Sequence, residues 1–399
     1  MSKIAILGYG TIGSGVFEVV SMNRELIGKR AGEDVSVKRI LDLRDFPGTA
    51  VEGLITHDVN DILTDDEIDV VVETMGGTNP AYSFVKQSLM AGKSVCTSNK
   101  ELVEKHGPEL LALAKEKNIS FLFEASCGGG IPLIRPLITS YTADDIDEIS
   151  GILNGTTNYI LTKMSKEGSP YEEALSQAQQ MGFAERNPEA DVEGHDPCRK
   201  IAILSSLIFG KNIDFQKIYT EGITGISPED IAYVNKMGCA IKLLASCRKV
   251  EGKHYAMVSP FILSSEHPLY SVNGVLNAVF IHGNAIGDTM LYGSGAGKLP
   301  TASAVVADVV EAIKGNAQTL STVWEDEELS ISGIDEDERS FFVRVGLEQL
   351  QEAKNVLGAT EEISGVCPGE AAIITGRLSE KEFAEKVKGL DIISRIRMK

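Results

Sequence analysis

A glycine-rich turn directly after an apolar N-terminal run constrains this chain more than any other feature. Residues 8–13 read Gly-Tyr-Gly-Thr-Ile-Gly, between an apolar run at 4–7 and a helical pattern at 13–22. In such a strand–turn–helix, Gly8 permits the tight turn, Gly10 lets the backbone approach a pyrophosphate, and Gly13 lets helix and strand pack closely. The helix N-terminus then offers N–H groups and a positive dipole end to phosphate. The turn predicts a dinucleotide-binding domain; packing alone is the alternative role of its glycines.

Strand and helix patterns alternate through residues 1–128, which predicts an α/β fold with a Rossmann-type doubly wound parallel sheet. From 129 to 322 the pattern is mixed and predicts a second, α+β domain, in which we expect a helix at 302–318 to pack back on the first domain. The predicted strands are 4–7, 35–41, 70–72, 94–97, 120–123 and 256–263, and the predicted helices are 13–22, 80–91, 108–117, 171–181 and 195–209.

The end of the chain is predicted to form a small separate domain. Residues 325–339 carry eight acidic side chains and one basic side chain, a composition typical of a solvated linker. Residues 338–399 then follow the order βαββαβ, which is the ferredoxin-like arrangement. Its predicted strands are 340–345, 361–366, 371–375 and 392–397, and its predicted helices are 347–357 and 379–390.

Composition restricts the partners and the compartment. The formal net charge of −19 argues against a nucleic-acid partner, which would need a basic face. No run of eighteen apolar residues and no signal peptide is visible, so we expect no membrane partner. Six scattered cysteines without a CxxC pair favour reduced thiols in the cytoplasm, and six scattered histidines make a transition-metal site unexpected.

The end of the second predicted strand bears on the choice of cofactor. Asp42 would accept hydrogen bonds from a ribose diol, which favours NAD, whereas Arg44 would pair with a 2′-phosphate, which favours NADP. Residues two apart on a strand share a face. A surface ion pair between Asp42 and Arg44 is the alternative, and the sequence leaves NAD and NADP both open.

The chain resembles the homoserine dehydrogenase family from about residue 4 to 313. The segments at 151–164 and 182–204 are specific to that family when they occur together. The matching segments are GYGTIGSG (8–15), VVVETMGG (70–77), AGKSVCTSNKELV (91–103), FEASCGGGIPLIRPL (123–137), GILNGTTNYILTKM (151–164), GFAERNPEADVEGHDPCRKIAIL (182–204) and YGSGAGKLPTASAVVADVV (292–310).

The resemblance implies an activity and an assembly. The activity is the reversible NAD(P)H-dependent reduction of L-aspartate 4-semialdehyde to L-homoserine, in threonine, methionine and isoleucine biosynthesis. The assembly is a homodimer or homotetramer built through the second domain. Many bacterial members carry a regulatory ACT domain at the C-terminus. Here the usual D-x-P-G-V-L segment is replaced by GLEQL at 346–350, so we expect an ACT-like domain that serves mainly in subunit contact.

The resemblance also implies roles for individual residues. Lys200 matches the proton donor to the nascent alkoxide, with Asp196 beside it, and Lys100 matches a lysine near nicotinamide and substrate. Substrate binding is implied for Glu185, Asp191, Gly155 and Thr156. Cofactor binding is implied for Gly8, Gly10, Thr11, Ile12, Gly13, Arg44, Met75, Gly76, Ser98, Lys100 and Gly295, and a sodium ion on backbone carbonyls for Glu124, Cys127, Gly129 and Ile131.

The residues by themselves are consistent with this chemistry. Hydride addition to an aldehyde creates negative charge on oxygen, so the site needs a proton donor, and a substrate ammonium group needs a carboxylate. Asp196 and Lys200 are four apart on a predicted helix and share a face, although an exposed ion pair has the same spacing. Asn154 and its neighbours would bind a carboxylate or cap a helix. The glycine run at 128–130 is expected to be flexible, either as a cation loop or as a hinge.

Two other functions are alternatives to the dehydrogenase. The first is an acylating semialdehyde dehydrogenase with Cys127 as nucleophile, which would need a general base such as histidine near the thiol. The second is a non-catalytic amino-acid or nucleotide sensor on the same fold. No histidine stands in a matching motif, and the full set of polar residues argues against lost catalysis.

Overall fold

The computed structural model describes residues 1–315 and 324–399, which form two compact units. One unit comprises Met1–Ala143, Ala202–Ile213 and Gly293–Leu329, and the other comprises Asp144–Ile201, Asp214–Tyr292 and Ser330–Lys399. The predicted boundaries at 128, 322 and 338 stay predictions, and residues 316–323 lie outside the described residues. No helix of the described part is long and apolar enough to cross a membrane.

The described residues form strands, short bridged segments and helices. The strands are β1 (Ser2–Leu7), β2 (Val35–Leu41), β3 (Ile55–Thr56), β4 (Ile68–Glu73), β5 (Ser94–Thr97), β6 (Phe121–Leu122), β7 (Ile146–Ile152), β8 (Lys211–Asn212), β9 (Tyr219–Thr220), β10 (Ala240–Val250), β11 (Lys253–Leu263), β12 (Leu276–Gly283), β13 (Gly287–Ser294), β14 (Glu325–Glu328), β15 (Glu338–Arg339), β16 (Phe341–Gly346), β17 (Ala359–Ile363), β18 (Glu370–Thr375), β19 (Leu378–Ser379) and β20 (Ile392–Met398). The helices are α1 (Thr11–Met22), α2 (Arg24–Ala31), α3 (Asn60–Leu63), α4 (Ala81–Met90), α5 (Lys100–Lys117), α6 (Ala125–Gly128), α7 (Ile134–Thr139), α8 (Gly155–Glu167), α9 (Tyr171–Gln180), α10 (Glu189–Val192), α11 (His195–Phe209), α12 (Pro228–Lys236), α13 (Lys298–Ile313), α14 (Leu350–Leu357) and α15 (Glu380–Lys386).

The first unit is built on a parallel sheet in the order β3-β2-β1-β4-β5-β6. The chain runs outward from β1 to β3 and then crosses to β4, so the strand order reverses beside β1. In open α/β sheets, ligands bind outside the carboxyl ends of the strands at such a switch point. This confirms the predicted doubly wound sheet.

Helix α13 closes the core of the first unit although it comes late in the chain. Its buried residues Val305 and Val309 share one apolar cluster with Val16 and Val20 of α1. Burying an aliphatic side chain of this size contributes about 1.5–3 kcal/mol. The described helix ends at Ile313, so the predicted extension to 318 falls partly outside the described residues.

The second unit is built on one long mixed sheet in the order β13-β12-β7-β10-β11-β20-β16-β18-β17. Strands β10 and β11 form its central hairpin, whose turn places Glu251 at φ 50° and Gly252 at φ 78°. Two positive φ values in a two-residue loop suit the right-handed twist of paired strands. Strand β20 is the last of the chain, and it lies between the hairpin and the C-terminal strands.

The C-terminal segment has the predicted βαββαβ order. Strands β16, β17, β18 and β20 alternate with α14 and α15 in the sequence predicted, and a short β19 precedes α15. Phe341, Val343, Ile373 and Phe383 lie in the core formed between this sheet and its helices. Because β20 also pairs with β11, the C-terminal sheet continues the sheet that contains β7, β10 and β12.

Two local expectations were wrong. The acidic segment at 325–339 is not simply a solvated linker, because Asp337 and Arg339 are 2% and 7% exposed and form an ion pair at 2.9 Å. Charged residues tolerate burial when they are paired. Helix α5 begins at Lys100 rather than at residue 108, and Pro108 lies inside it. A proline near a helix start looks like a first helical residue, which moved the predicted boundary.

Candidate active site

The glycine turn has the geometry that a pyrophosphate requires. Gly8 has φ 91°, and a Cβ at Gly13 would lie 1.9 Å from the Gly8 carbonyl oxygen. A Cβ at Gly10 would meet no described atom within 4 Å, so the space above this residue is open. Helix α1 starts at Thr11 without a side-chain cap, and its first N–H groups are therefore available to a phosphate. These residues fit a dinucleotide.

Asp42 and Arg44 form a pair beside this turn. The Asp42 carboxylate accepts hydrogen bonds from the backbone N–H groups of Tyr9 (2.8 Å) and Arg44 (3.0 Å) and from the Arg44 guanidinium (2.9 Å). The guanidinium beside Asp42 holds the pKa of that carboxyl well below its usual range. Asp42 and Arg44 therefore form the ion pair that was the alternative to cofactor binding. The Arg44 side chain is nevertheless 61% exposed and accessible to a ligand.

A buried carboxylate joins the loops that follow β4 and β5. Glu73 ends β4, is fully buried, and accepts hydrogen bonds from the Met75 N–H (2.7 Å) and the Thr97 hydroxyl (2.6 Å). Burial raises the pKa of Glu73. The Thr97 hydroxyl accepts the Asn99 N–H at 2.9 Å. These hydrogen bonds connect the loop after β4 to the loop after β5, at the carboxyl ends of two neighbouring strands.

Lys100 stands at the start of α5, directly after these loops. Asn99 caps the helix by accepting the Leu102 N–H at 3.1 Å, and its amide donates to the Gly77 carbonyl at 2.6 Å. The Ser98 N–H lies 3.4 Å from the Glu73 carbonyl oxygen. The predicted cofactor residues Met75, Gly76, Ser98 and Lys100 therefore lie on two connected loops of the first unit.

The glycine run at 128–130 is packed closely, contrary to the flexibility expected of it. A Cβ at Gly128 would lie 2.8 Å from Leu133, one at Gly129 would lie 2.4 Å from Gly295, and one at Gly130 would lie 2.7 Å from Pro300. The Gly130 N–H also donates to the Ser294 carbonyl at 3.0 Å. The close approach of neighbouring atoms explains the three glycines, and at Gly129 those atoms belong to the backbone of Gly295.

Glu124 supports the same region through its side chain. Its carboxylate accepts the N–H groups of Leu133 (2.6 Å), Ile134 (2.8 Å) and Arg135 (2.7 Å) at the start of α7. Its own N–H donates to Asp308 at 2.8 Å, and burial followed by the nearby Glu124 raises the pKa of Asp308 to about 7. The Glu124 side chain is thus engaged, and its backbone carbonyl is what remains for a cation.

The described residues contain no group of three or more His, Cys, Asp or Glu side chains that could hold a metal ion. A site made of backbone carbonyls lies outside that criterion. The four predicted carbonyl donors are oxygen ligands, which suit a hard cation such as sodium. The sodium site therefore stays a prediction.

In the second unit, a polar cluster forms around the start of α11. The Lys200 ammonium donates to Asp196 and to the Leu153 carbonyl, both at 2.8 Å. Lys200 is 9% exposed and Asp196 is 8% exposed. The pair is therefore buried and does not correspond to the exposed ion pair that the spacing alone allowed.

Asn154 connects the cluster to α8. Its amide donates to Asp191 at 2.7 Å and to Asp196 at 2.9 Å, while its carbonyl oxygen accepts the Thr157 N–H at 2.9 Å. Both roles considered for this residue, helix cap and carboxylate ligand, are present at once. Burial followed by the charge of Asp196 raises the pKa of Asp191, and the Asn154 hydrogen bond opposes that rise.

Thr156 and Glu185 border the cluster. The buried Thr156 hydroxyl donates to the Phe183 carbonyl at 2.6 Å, and Gln179 donates to the Glu185 carbonyl at 3.1 Å. The Glu185 side chain is exposed and forms no hydrogen bond or ion pair with the residues in 1–315 and 324–399. A Cβ at Gly155 would lie 2.8 Å from the Val275 carbonyl oxygen, so packing explains that glycine.

Family models match both parts of this arrangement. Residues 8–124 match the homoserine dehydrogenase NAD-binding domain, and residues 132–310 match the homoserine dehydrogenase domain. The chain belongs to the homoserine dehydrogenase family. It is accordingly an oxidoreductase with a nicotinamide-dinucleotide-binding domain.

Individual homoserine dehydrogenases support the same assignment. The Bacillus subtilis (strain 168) enzyme is 41% identical over 319 residues, which cover 78% of this chain and 73% of the relative. The Synechocystis sp. enzyme is 43% identical over 317 residues, with the same coverage of 78% and 73%. The crystal structure of a homoserine dehydrogenase from Thiobacillus denitrificans superposes with a TM-score of 0.89 at 34% identity, covering 100% of this chain and 98% of that one.

A further solved homoserine dehydrogenase, from a hyperthermophilic archaeon, is in complex with NADPH. It superposes with a TM-score of 0.67 at 28% identity and covers 78% of this chain and 97% of its own. The family assignment favours the dehydrogenase over the two alternatives. Cys127, the nucleophile of the acylating alternative, is 1% exposed, whereas a nucleophile must reach its substrate.

The family resemblance did not identify every residue that organises the site of this homoserine dehydrogenase. The contributions of Glu73 and of the Leu153 carbonyl were not predicted. Only Glu73 leaves a trace in the sequence, as a single charge at the end of the apolar run VVVE. The other contacts join residues far apart in the chain, which local patterns do not record.

Proposed function

We propose that this chain catalyses the reversible NAD(P)H-dependent reduction of L-aspartate 4-semialdehyde to L-homoserine in the biosynthesis of threonine, methionine and isoleucine. The observation that carries the proposal is the buried ammonium group of Lys200, fixed by Asp196 and by the Leu153 carbonyl at 2.8 Å each. A buried proton donor of defined position is what a developing alkoxide requires.

Lys200 is assigned the proton transfer. A reduced nicotinamide held by the first unit would supply a hydride to the aldehyde carbon, which would leave a negative charge on the oxygen. Lys200 gives that oxygen its proton, which yields the alcohol and a neutral lysine. In the reverse direction, neutral Lys200 removes the hydroxyl proton of homoserine. Asp196 keeps Lys200 in place in both directions.

Glu185 and Asp191 are assigned to the ammonium group of the substrate. Glu185 has an exposed carboxylate with no described partner. Asp191 is half-buried and receives a hydrogen bond from Asn154. Charge-assisted hydrogen bonds to an ammonium group are short and strong. Gly155 and Thr156 complete the proposed substrate site at the start of α8.

The cofactor is assigned to the first unit. The open space above Gly10 and the uncapped start of α1 support binding of a pyrophosphate there. Lys100 is assigned to the nicotinamide end, because it follows the loops joined by Glu73. The other proposed contacts are Gly8, Thr11, Ile12, Gly13, Arg44, Met75, Gly76, Ser98 and Gly295.

Arg44 is proposed to favour NADP over NAD. The Asp42 carboxylate already accepts hydrogen bonds from two backbone N–H groups and from the guanidinium, so a ribose diol would have to displace donors to reach it. The guanidinium is 61% exposed and carries the charge and geometry that a 2′-phosphate prefers. Rotation away from Asp42 would bring it to that phosphate.

A sodium ion is proposed on the backbone carbonyls of Glu124, Cys127, Gly129 and Ile131. The close packing of this loop against Gly295 and Pro300 would hold the carbonyls at fixed positions. Oxygen donors of this kind are the ligands of hard cations. Such an ion would serve the structure of the loop.

The assembly is proposed to be a homodimer or homotetramer. Strand β13 is an edge strand whose residues are alternately exposed, and Met290 and Tyr292 are 40% and 53% exposed. An edge strand with exposed apolar side chains invites pairing with another strand. The ACT-like C-terminal domain is proposed to contribute to subunit contact. A cytoplasmic location is proposed from the six scattered cysteines, which include no CxxC pair.

An absorbance assay tests the function directly. Purified protein is mixed with L-homoserine and either NAD or NADP, and the appearance of reduced nicotinamide is followed; the reverse reaction starts from L-aspartate 4-semialdehyde. We expect activity in both directions. Activity that requires phosphate or a thiol acceptor would favour the acylating alternative. Binding of homoserine without turnover would favour the sensor.

A further inference from the structure

The last strand carries a buried arginine that contacts other segments of the second unit. Arg397 lies on β20, which pairs with β11 on one side and with β16 on the other. It is 1% exposed. An arginine in such a place requires partners for its charge, and those partners show what it holds.

Arg397 binds two carboxylates and a hydroxyl. Its guanidinium donates to Glu221 at 2.5 Å, to Ser259 at 2.6 Å and to Glu380 at 2.6 Å. It also lies over the ring of Tyr219, 4.9 Å from the centroid. Glu380 belongs to the C-terminal helix α15, whereas Glu221 belongs to the segment 219–226 (the clamp segment).

The clamp segment is fixed to the central hairpin at one end. Tyr219 and Thr220 form β9 and pair with Met257 and Val258 of β11. The Glu221 N–H donates to the Val258 carbonyl at 2.8 Å. The backbone around Glu221 is therefore hydrogen-bonded to β11, and the Glu221 side chain is bound by Arg397.

At its other end the clamp segment contacts the residues between Asp191 and Asp196. The Ile223 N–H donates to the Val192 carbonyl at 2.8 Å, and the Thr224 hydroxyl donates to Glu193 at 3.0 Å. A Cβ at Gly222 would lie 2.2 Å from the Val192 carbonyl oxygen, and a Cβ at Gly194 would lie 3.0 Å from Val258. The backbones are too close for either one to move independently of the other.

These contacts form one continuous path within the second unit. We infer that Arg397 is a positioning residue for the substrate site: through Glu221 it fixes the clamp segment against residues 192–194 and thereby sets the spacing of Asp191 and Asp196. The inference rests on the proposed function, because it assigns these two carboxylates to substrate and proton donor. The C-terminal strand is accordingly part of the active-site framework.

The variants Arg397→Met and Glu221→Gln test this inference. Each removes the ion pair, and we expect the KM for homoserine to rise about threefold to thirtyfold, with the KM for the cofactor within about twofold of wild type. Arg397→Lys keeps the charge without the forked geometry and should give an intermediate KM.

Arg339→Met is the matched control. Arg339 is also buried, at 7% exposure, and lies 4.9 Å from the ring centroid of Phe261, but it forms its ion pair with Asp337 and not with the clamp segment. We expect a fall in thermal stability like that of Arg397→Met with an unchanged KM for homoserine. The inference would be overturned if Arg397→Met and Arg339→Met had the same KM for homoserine. A wild-type KM for homoserine in Glu221→Gln would overturn it as well.

Two further results keep the outcomes distinct. Absence of wild-type turnover with homoserine overturns the proposed function itself, whereas wild-type turnover with unaffected Arg397 and Glu221 variants overturns this inference alone. If Arg397→Met does not fold, Glu221→Gln decides the question, since its side chain is 34% exposed and tolerates substitution better.

Discussion

The ammonium group of Lys200 lies 2.8 Å from the carboxylate of Asp196, one helical turn earlier on α11. An exposed pair at this spacing contributes only about 0.2–0.5 kcal/mol. Here both residues are buried, and the Leu153 carbonyl accepts a second hydrogen bond from the lysine. Asp196 and the Leu153 carbonyl therefore fix the position of the Lys200 ammonium group.

Replacing Lys200 should separate chemistry from cofactor binding. Lys200→Met removes the proton donor while keeping most of the side-chain volume, so we expect kcat for homoserine oxidation to fall about 10²- to 10⁴-fold. Cofactor affinity, measured by fluorescence titration, should change little. Lys163→Met, which removes a partly exposed lysine paired with Glu167 on α8, is the control. A wild-type kcat in Lys200→Met would remove the proton-donor role.

The pH dependence of kcat/KM for homoserine should change when Asn154 is replaced. Burial and Asp196 raise the pKa of Asp191, while the Asn154 hydrogen bond lowers it. If ionised Asp191 binds the substrate ammonium, kcat/KM for homoserine falls as pH drops through this pKa. Asn154→Ser loses the lowering contribution, so the acidic limb should move to higher pH.

Thr157→Val serves as the control for the Asn154 experiment, because it disturbs the same helix cap but keeps the amide donor to Asp191. Its acidic limb should coincide with that of the wild type. An acidic limb that stays in place or moves to lower pH in Asn154→Ser would contradict the proposed role of Asp191.

Arg44 should decide the preference between cofactors. Arg44→Ala removes the group proposed to meet the 2′-phosphate, and the ratio of kcat/KM for NADP to that for NAD should fall about tenfold or more. Arg24→Ala, another exposed arginine paired with an aspartate, should leave the ratio unchanged. An unaltered ratio in Arg44→Ala would show that 2′-phosphate recognition lies elsewhere.

Substitutions at two glycines of the first turn should affect different properties, cofactor binding at Gly10 and stability at Gly13. Gly10→Val places a side chain in open space, so the melting temperature should stay near that of wild type while the KM for the cofactor rises at least about tenfold. Gly13→Ala places a Cβ 1.9 Å from the Gly8 carbonyl oxygen, so the fold itself should lose stability. A cofactor KM unaffected by Gly10→Val would argue against a pyrophosphate at this turn.

Asp308 should make the stability of the first unit depend on pH. Its pKa is raised from 3.8 to about 7, first by burial and then by Glu124. Because the folded state binds this proton more tightly than the unfolded chain does, protonation of Asp308 stabilises the fold. This stabilisation is complete below pH 3.8 and is lost as pH rises to about 7. Asp308→Asn cannot ionise, so its melting temperature relative to wild type should improve by several degrees between about pH 4 and about pH 8.

Asp335→Asn, which changes an exposed aspartate, is the control for the Asp308 measurement and should run parallel to the wild type across the same pH range. A parallel curve for Asp308→Asn as well would mean that Asp308 is ionised throughout. Scanning calorimetry at several pH values supplies the comparison.

Local sequence patterns determined much of the fold. The strand–turn–helix at residues 2–22, the βαββαβ order of the C-terminal segment and the start of α11 at His195 were all predictable. These features depend on hydrophobic periodicity and on glycine conformation, which act over a few neighbouring residues. The family segments likewise pointed to Asp196 and Lys200, which the structure shows to be buried and hydrogen-bonded to each other.

Only the tertiary structure decided which distant groups meet. Glu124 binds the backbone of residues 133–135, Arg339 and Asp337 are buried together, and Arg397 is paired with Glu221, which lies 176 positions earlier. Such pairs form because a charge removed from water needs an opposite charge or hydrogen-bond donors close by. Nothing in a local pattern states which partner the folded chain will supply, so the sequence determined the elements and the packing determined their connections.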